Sequence, residues 1–589
     1  MVVERGNEMT EESAVHHWRA LYPIHLTWAL ATLSGCLNGA AFIYWGPLAF
    51  VANLPLLFAL RHARSLSHAI ALGGWVGFLG GVHIFGVLNY GWWIFWAFSL
   101  YTASQMVIFG GVVFYYRSRA LPSMGKRLGL LYELWIPCII WTLTEWLRTV
   151  GPLALPASYV GCIADIPWLQ PLLGWASIWG GLGVSALIAL VPSALFMCLT
   201  ARDRPTSSST EEASEAQQSE NRIRREQERD EDSHEFEALL SRASRLFIGL
   251  SALVLVGVFY LWGALSPLPI EGERIKVAGL QGGFSNDLYE ASLADPALSL
   301  DILETYEALL LQAREAQAEL VIWAENAIRL PIINTSELRE RLFPQQSEDP
   351  WLIAGVAHMD PDGKQYNLAI SANDKRIIGR YAKVKTVPGV EARFTSGEEW
   401  KPLPTRWGPM GVLICFESIY PHAGRALTLA GSRLLIVLSN DAGFGETPIS
   451  HHMTNRAIVR AVESGRWLVR VGQAGVTTIV DPRGETHGRL DLFKAGVLTG
   501  EVQLRGEMTY FVRRGLDWLW LFLIILVGPV VQQNYLSIKL KFRRAPGSTL
   551  GQTIQFWPLW LGRMSSYLKN RLASKDKHPP PPPEDDPFA

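Results

Sequence analysis

Gly411-Val-Leu-Ile-Cys415-Phe-Glu417 runs four small or apolar residues into a cysteine and, two residues on, a carboxylate. The apolar run predicts a buried strand. A buried strand that ends in a polar, reactive pair predicts a pocket, because ligand crevices lie at the carboxyl ends of strands in open α/β sheets. The plainer reading is a core cysteine beside an unrelated glutamate, since free cysteine is among the most buried residue types. The remainder of the chain decides between them.

Two more stretches have the same form. Leu320-Val-Ile-Trp-Ala-Glu325 is an apolar strand ending in a carboxylate, and Arg380-Tyr-Ala-Lys383 is a strand ending in a lysine. The three groups are chemically complementary. A free thiol is mostly protonated at neutral pH, and its thiolate is the nucleophile. A neighbouring carboxylate can take the proton, and an ammonium can stabilise both the thiolate and the oxyanion formed when a carbonyl is attacked. Each residue also has a structural reading alone: Glu325 as the cap of a following helix, Lys383 as a solvated charge, Glu417 as a partner of Lys383 only.

Around these stretches, residues 272–505 alternate short apolar runs with helical ones. Strands are expected at Ile275–Gln281, Leu320–Glu325, Trp351–Val356, Tyr366–Ala372, Arg376–Lys383, Met410–Phe416, Leu434–Ser439, Trp467–Val471, Thr477–Val480 and Val497–Val502. Helices are expected at 298–317, 419–431 and 450–465. Ten strands with few helices between some of them imply two sheets, buried on their outer faces by helices in an α/β (α-β-β-α) sandwich.

The 589-residue chain as a whole is 49% hydrophobic and only 18% charged, with 23 Trp. Globular proteins average about 25% charged residues, and the deficit is concentrated in the first two hundred. Seven hydrophobic spans are expected near 24–42, 46–60, 69–90, 94–115, 129–147, 172–198 and 246–265, and an eighth near 517–534, each compared with the roughly 20 apolar residues a bilayer core needs. The first is not read as a cleavable signal, since another span follows at once. Arg61 and Arg64 follow span two, Arg117, Arg119, Lys126 and Arg127 follow span four, and Lys539, Lys541, Arg543 and Arg544 follow span eight. The loops after spans one and three carry neither Lys nor Arg. By the positive-inside rule the basic loops are cytoplasmic and the 272–505 domain faces outward. Trp92, Trp93 and Trp96 fit an interfacial aromatic belt or a core. Of the five cysteines, Cys36, Cys138, Cys162 and Cys198 lie in or at the edges of the membrane region, and Cys415 has no disulfide partner in the outward domain.

The resulting division is 1–20 cytoplasmic segment, 21–200 six transmembrane helices, 201–244 disordered charged cytoplasmic insert, 245–268 seventh helix, 272–505 catalytic domain, 516–535 eighth helix and 536–589 cytoplasmic tail. The insert is rich in Ser, Glu, Gln and Arg and lacks apolar surface to bury, with a solvated helix allowed near 220–244. The tail ends in a proline run, Pro579-Pro-Pro-Pro-Pro-Glu-Asp-Asp586, read as extended. A net charge of −1 offers no basic patch for nucleic acid. No Cys/His spacing suggests a metal, and no cofactor motif is seen; His451-His452 reads as the start of a helix.

In the order Glu325, Lys383, Cys415, with their Trp-x-Glu, Tyr-x-Lys and Ile-Cys-Phe-Glu contexts, the chain resembles the carbon–nitrogen hydrolase (nitrilase) superfamily. Ser439-Asn-Asp-Ala442 and Arg460-Ala-Val-Glu463 also fit. With the spans included, residues 25–535 without the insert look like its membrane-embedded branch. Supporting pieces are Glu145-Trp-Leu-Arg148, Gly180-Gly-Leu-Gly-Val-Ser185, Gln281-Gly282 and Thr509-Tyr-Phe-Val-Arg-Arg-Gly515. The resemblance implies Glu325 as general base, Lys383 as oxyanion stabiliser and Cys415 as nucleophile, with Glu391, Phe416 and Glu417 supporting the site. Several positions depart from the family pattern: Phe416 replaces a tyrosine, Lys385 a histidine, Gly443 a tryptophan and Gln473-Ala474 a pair of asparagines, and Val387-Pro-Gly-Val-Glu391 replaces V-P-F-G-E.

What the resemblance implies is a two-step acyl transfer in a bacterial inner membrane. Cys415 takes a fatty acyl chain from a membrane phospholipid as a thioester and passes it to the amine of a diacylglyceryl-cysteine lipoprotein. Both substrates are anchored in the lipid bilayer. Val387–Val390 and Phe444 are candidates for loops that dip into lipid, with ordinary core packing as an equal alternative. A membrane-tethered amidase, another acyltransferase of the superfamily and a non-catalytic scaffold are the alternatives. Reaction of Cys415 with an acyl-like electrophile separates enzyme from scaffold.

Overall fold

The computed structural model describes residues 24–121, 126–150, 158–201, 220–346 and 349–543. The expected N-terminal segment 1–20, residues 202–219 of the insert and the end of the tail, proline run included, lie outside the described residues.

Every expected hydrophobic span falls on helix. The membrane part comprises α1 (Ile24–Ile43), a 3₁₀ turn Gly46–Phe50 with α2 (Leu54–Arg61), α3 (Leu66–Gly81) continuing as a 3₁₀ segment Val82–Tyr90, α4 (Trp92–Tyr115), α5 (Lys126–Leu147), α6 (Ala176–Thr200) and α7 (Glu220–Leu265). Five stretches are long and apolar enough to cross a membrane: Ile24–Ile43, Leu66–Tyr90, Trp92–Ala120, Ala176–Thr200 and Arg242–Leu265. Gly46–Arg61 and Leu519–Val531 are shorter apolar helices. The α5 sequence is interrupted by Glu133, Glu145 and Pro137. The helix allowed near 220–244 is the first half of α7, continuous with the apolar half.

In lipid, helices gain little from mutual apolar burial, so close approach relies on small residues. The α3–α4 hairpin has this construction. A Cβ on Gly73 would stand 2.1 Å from Met106 O, one on Gly77 2.6 Å from Thr102 O, and one on Gly81 2.5 Å from Thr102 Oγ1. The spacing of four places all three on one face of α3. The hairpin is therefore tightly registered, and its connecting turn is held in place.

The 272–505 region contains eleven strands in two sheets. The first has the order β11-β1-β2-β3-β4-β5 and the second β10-β9-β8-β7-β6. The strands are β1 (Glu273–Gln281), β2 (Leu320–Trp323), β3 (Trp351–Met359), β4 (Gln365–Asn373), β5 (Arg376–Ala382), β6 (Gly411–Ile414), β7 (Leu435–Ser439), β8 (Leu468–Gly472), β9 (Thr477–Val480), β10 (Thr486–Leu490) and β11 (Gly496–Leu504). Ten were expected. β10 was missed because its sequence, Thr-His-Gly-Arg-Leu, is exposed along nearly its whole length and has no apolar alternation. The sheets face each other at Gly279, where a Cβ would lie 2.9 Å from Val471 and 3.2 Å from Thr477.

Helix α8 (Pro296–Glu315) covers the first sheet, burying Ile302, Leu303, Tyr306, Leu309 and Leu310 against its strands. Helices α9 (Pro421–Leu429) and α10 (Pro448–Ser464) cover the second. His451 and His452 fall in the first turn of α10, as read from sequence. Fifteen of the seventeen α10 residues are buried, because the membrane helices pack on its other side. Glu463 there accepts from the Gly181 N–H at 2.6 Å, and Asn455 donates to Gly161 O at 2.8 Å. The outer layer of the sandwich is thus shared with the membrane part.

Candidate active site

Strand β6 stops at Ile414, one residue short of the thiol. Cys415 opens the 3₁₀ turn Cys415–Ile419 with φ +50°. This left-handed conformation costs a non-glycine residue on the order of 1–2 kcal/mol, so neighbouring contacts must impose it. Glu417 supplies them. Its fully buried carboxylate accepts from Ile414 N (2.8 Å), Val384 N (2.7 Å), Lys385 N (3.2 Å) and the Tyr381 hydroxyl (2.7 and 2.8 Å). It clamps the nucleophile turn to the segment after β5. Glu417 makes no contact with Lys383, so its reading as a bare partner of that lysine is corrected: the backbone donors and Tyr381 fill its coordination.

Lys383 follows β5 and is buried. Its ammonium donates to Glu325 Oε1 at 2.9 Å and to Glu391 Oε1 at 2.8 Å. Burial opposes the charge, yet Glu325, Glu391 and Cys415 together hold Lys383 well above the ordinary lysine value. It is not the solvated charge of the alternative reading. Glu325 caps no helix; the next helix begins at Ser336. Its Oε1 also accepts from Asn367 Nδ2 at 2.7 Å, and its Oε2 from Asn440 N at 2.9 Å. Burial lifts its pKa, with Lys383 pulling it back. Glu391 is fixed by Val387 N at 2.7 Å, and Asn367 bridges to it at 3.2 Å.

The Cys415 thiol is buried, and burial first, then Glu325, push its pKa far above the cysteine range, with Lys383 opposing. The shift favours the protonated thiol, in keeping with the sequence reading of a free thiol whose proton a neighbouring carboxylate can take. Ser439 lies within hydrogen-bond reach of the thiol. Its hydroxyl donates to Asp441 Oδ1 at 2.6 Å, and Asp441 pairs with the buried Arg470 at 2.5 Å. Strands β6 and β7 are parallel neighbours, so the two turns that follow them meet at one rim.

Phe416 packs edge-on against Tyr420, with ring centroids 5.5 Å apart, and has no polar role in the cluster. Gln473 lies between the sheets, accepting from the Tyr306 hydroxyl at 2.5 Å, so that departure belongs to sheet packing. Tyr381, Asn367 and the Asn440 N–H were not singled out from sequence. Each leaves a trace there: Tyr381 and Asn440 inside the quoted motifs, without a role of their own, and Asn367 as a polar residue inside the apolar run of β4. Among the described residues, Asp481, Glu485 and His487 gather as metal ligands would, but Asp481 Oδ1 is occupied by the Arg483 and Glu485 N–H groups of its own turn.

Replacing Glu417 with Gln removes the charge from three backbone acceptor bonds. Hydrogen bonds to charged groups contribute about 1.5–3 kcal/mol, so a loss of about 2 kcal/mol is expected in detergent unfolding. The rate at Cys415 should fall further than the folded fraction does, because the turn is no longer held at positive φ.

Residues 298–509 match the carbon–nitrogen hydrolase family, and residues 34–194 match the apolipoprotein N-acyltransferase N-terminal domain. An apolipoprotein N-acyltransferase from Geobacter metallireducens is 27% identical over 527 residues, covering 83% of this chain and 92% of its own. One from Pseudomonas putida is 26% identical over 542 residues, covering 84% and 93%. Among solved structures, a carbon–nitrogen hydrolase from Helicobacter pylori aligns over 43% of this chain and 94% of its own, at 20% identity and a TM-score of 0.32. With both halves matched and these relatives aligned nearly end to end, the chain belongs to the apolipoprotein N-acyltransferase family, within the carbon–nitrogen hydrolase superfamily.

Proposed function

We propose that this acyltransferase moves a fatty acyl chain from a membrane phospholipid, through a thioester on Cys415, to the amine of a lipoprotein's diacylglyceryl-cysteine. The observation that carries the mechanism is the Glu325–Lys383–Glu391 cluster, with Glu325 and Lys383 buried, beside the Cys415 thiol on a positive-φ turn. Cys415 Sγ bonds to the ester carbonyl carbon while its proton passes to Glu325. Lys383 stabilises the oxyanion. The ester C–O bond then breaks, Glu325 returns the proton to the departing lysophospholipid, and the acyl thioester remains. The acceptor amine attacks that carbonyl, loses a proton to Glu325, and the C–S bond breaks to restore the thiol.

The eight apolar segments all cross the bacterial inner membrane in this reading, with the sandwich on its outer face. The basic residues Arg61, Arg64, Arg117 and Arg119 on the opposite side support that orientation. Two substrates held in one bilayer meet the site by search in a plane.

Intact mass of the detergent-purified protein after incubation with mixed phospholipids tests the thioester. The expected result is a fatty-acyl increment that hydroxylamine removes; a folded protein with no increment would sink the proposal. The acylation rate should fall as pH drops through the Glu325 pKa, because only its carboxylate accepts the proton. Burial places that limb above the ordinary carboxylate range. Lys383, held above its usual value, stays charged through mildly alkaline pH.

A further inference from the structure

The turn between α3 and α4 touches the catalytic loops directly. Gly91, at φ +141° and ψ 138°, lets the chain reverse between Tyr90 and Trp92 in a conformation that other residues rarely adopt. Tyr90 lies across Gly443: a Cβ there would stand 2.1 Å from the Tyr90 hydroxyl and 2.5 Å from Cζ. Its ring also meets Phe444 edge-on at 5.4 Å. The space that any side chain at 443 would need is filled from the membrane side. Of the two readings for Phe444, lipid-dipping or packed, its contact with Tyr90 fits the second.

The loop that Tyr90 presses on carries the Asn440 N–H that donates to Glu325 Oε2 at 2.9 Å, and Asn440 Oδ1 accepts from Ala442 N at 3.2 Å. Three residues past Tyr90, the Trp93 ring reaches within 3.4 Å of where a Cβ on Gly389 would lie, in the loop that carries Glu391 to Lys383. Trp92 and Trp93 are otherwise exposed. One membrane turn therefore leans on both loops that hold the charged cluster.

We propose that Tyr90 is a positioning residue of the active site: by filling the space over Gly443 it fixes the 440–445 loop, and through the Asn440 N–H it sets the general base Glu325. The lipid-facing turn thereby couples the arrival of a phospholipid at Trp92 and Trp93 to the state of the base. The inference rests on the acyl-thioester reading for its purpose, but the coupling can be measured apart from it.

The rate of Cys415 alkylation by a neutral haloacetamide, followed by peptide mass across pH, reports the base without any lipid. Thioester formation from a phosphatidylethanolamine in mixed micelles is measured in parallel. Gly443→Ala drives a methyl into Tyr90 and displaces the loop. An ångström of misplacement can cost about 100-fold, so both rates should fall by about 10- to 100-fold at neutral pH. Their acid limbs should move to higher pH, since losing a donor to the charged form raises a carboxyl pKa. Adding Tyr90→Ala should restore the limb and most of the rate, because the new methyl enters the vacated space. An unmoved limb in Gly443→Ala, or a double variant no better than the poorer single, would overturn the proposal. If Gly443→Ala fails to fold, Tyr90→Ala alone must shift the limb upward, and an unshifted limb overturns it equally. Normal coupling in alkylation with no thioester in the wild type would overturn the acyl-transfer reading and leave this one standing.

Discussion

Cys415→Ala is expected to abolish both the acyl adduct and acylation of a diacylglyceryl-cysteine peptide, while leaving the fold intact. The nucleophile's loss removes the covalent step itself, and in other hydrolases deleting one such group costs about 10⁶-fold, as much as deleting its partners as well. No other described cysteine can substitute, since Cys415 is the one in the sandwich domain. The turn should survive, because it is held by Glu417 acceptor bonds to the backbone and Tyr381. Alanine at φ +50° carries the same backbone cost as cysteine, and its unfolding midpoint should match the wild type. An adduct that persisted in the alanine protein would place the nucleophile elsewhere.

Lys383→Met is expected to fail in both activity and stability. The ammonium lies between the Oε1 atoms of Glu325 and Glu391, at 2.9 and 2.8 Å. Without it the buried Glu325 and the part-buried Glu391 face each other with Asn367 as the shared donor. Breaking a buried ion pair from one side costs about 3–5 kcal/mol, so a large fall in unfolding temperature at neutral pH follows. The deficit should shrink as pH is lowered. Burial already raises the folded Glu325 pKa, and the variant removes the lysine that opposes this; a carboxyl of that kind stabilises the fold at low pH and loses that contribution as pH rises through the folded pKa. Acylation should drop by about 10²–10³-fold beyond the loss of folded protein, the size seen when one oxyanion donor is removed. A lysine that only neutralised Glu391 would show the stability loss without the excess loss of rate.

Much of the site is legible in the sequence because its reactive groups follow strands. Glu325 and Cys415 follow buried apolar runs, which period and length suffice to see, whereas Lys383 follows the largely exposed, mixed strand β5. The expected strands run a residue or two long at all three of these ends, since Ala324, Glu325, Lys383, Cys415 and Phe416 have already left the ladder. That small error hides the physical point: Cys415 is not a strand residue but sits in a turn at positive φ, which apolar periodicity does not encode.

The partners of Glu417 were not legible. A glutamate two residues from a cysteine and thirty-four from a lysine is open to several pairings in sequence, and burial with backbone donors chose among them. Nor does Gly443 disclose why it is small. Its reason is Tyr90, 353 positions earlier and in a different half of the chain, brought there by the glycine-packed α3–α4 hairpin.

By itself the sequence determined where apolar segments lie, which runs become strands, and that a carboxylate, an amine and a thiol follow three of them. These are local properties, set by the polarity and spacing of neighbouring residues. Tertiary structure alone decided which carboxylates hold the lysine and which holds the turn, that Cys415 is buried at positive φ, and that Tyr90 presses on the loop behind Glu325. Those outcomes depend on the desolvation and close contact of groups far apart in the chain, and such contacts exist only once the sheets are in register and the helices are packed.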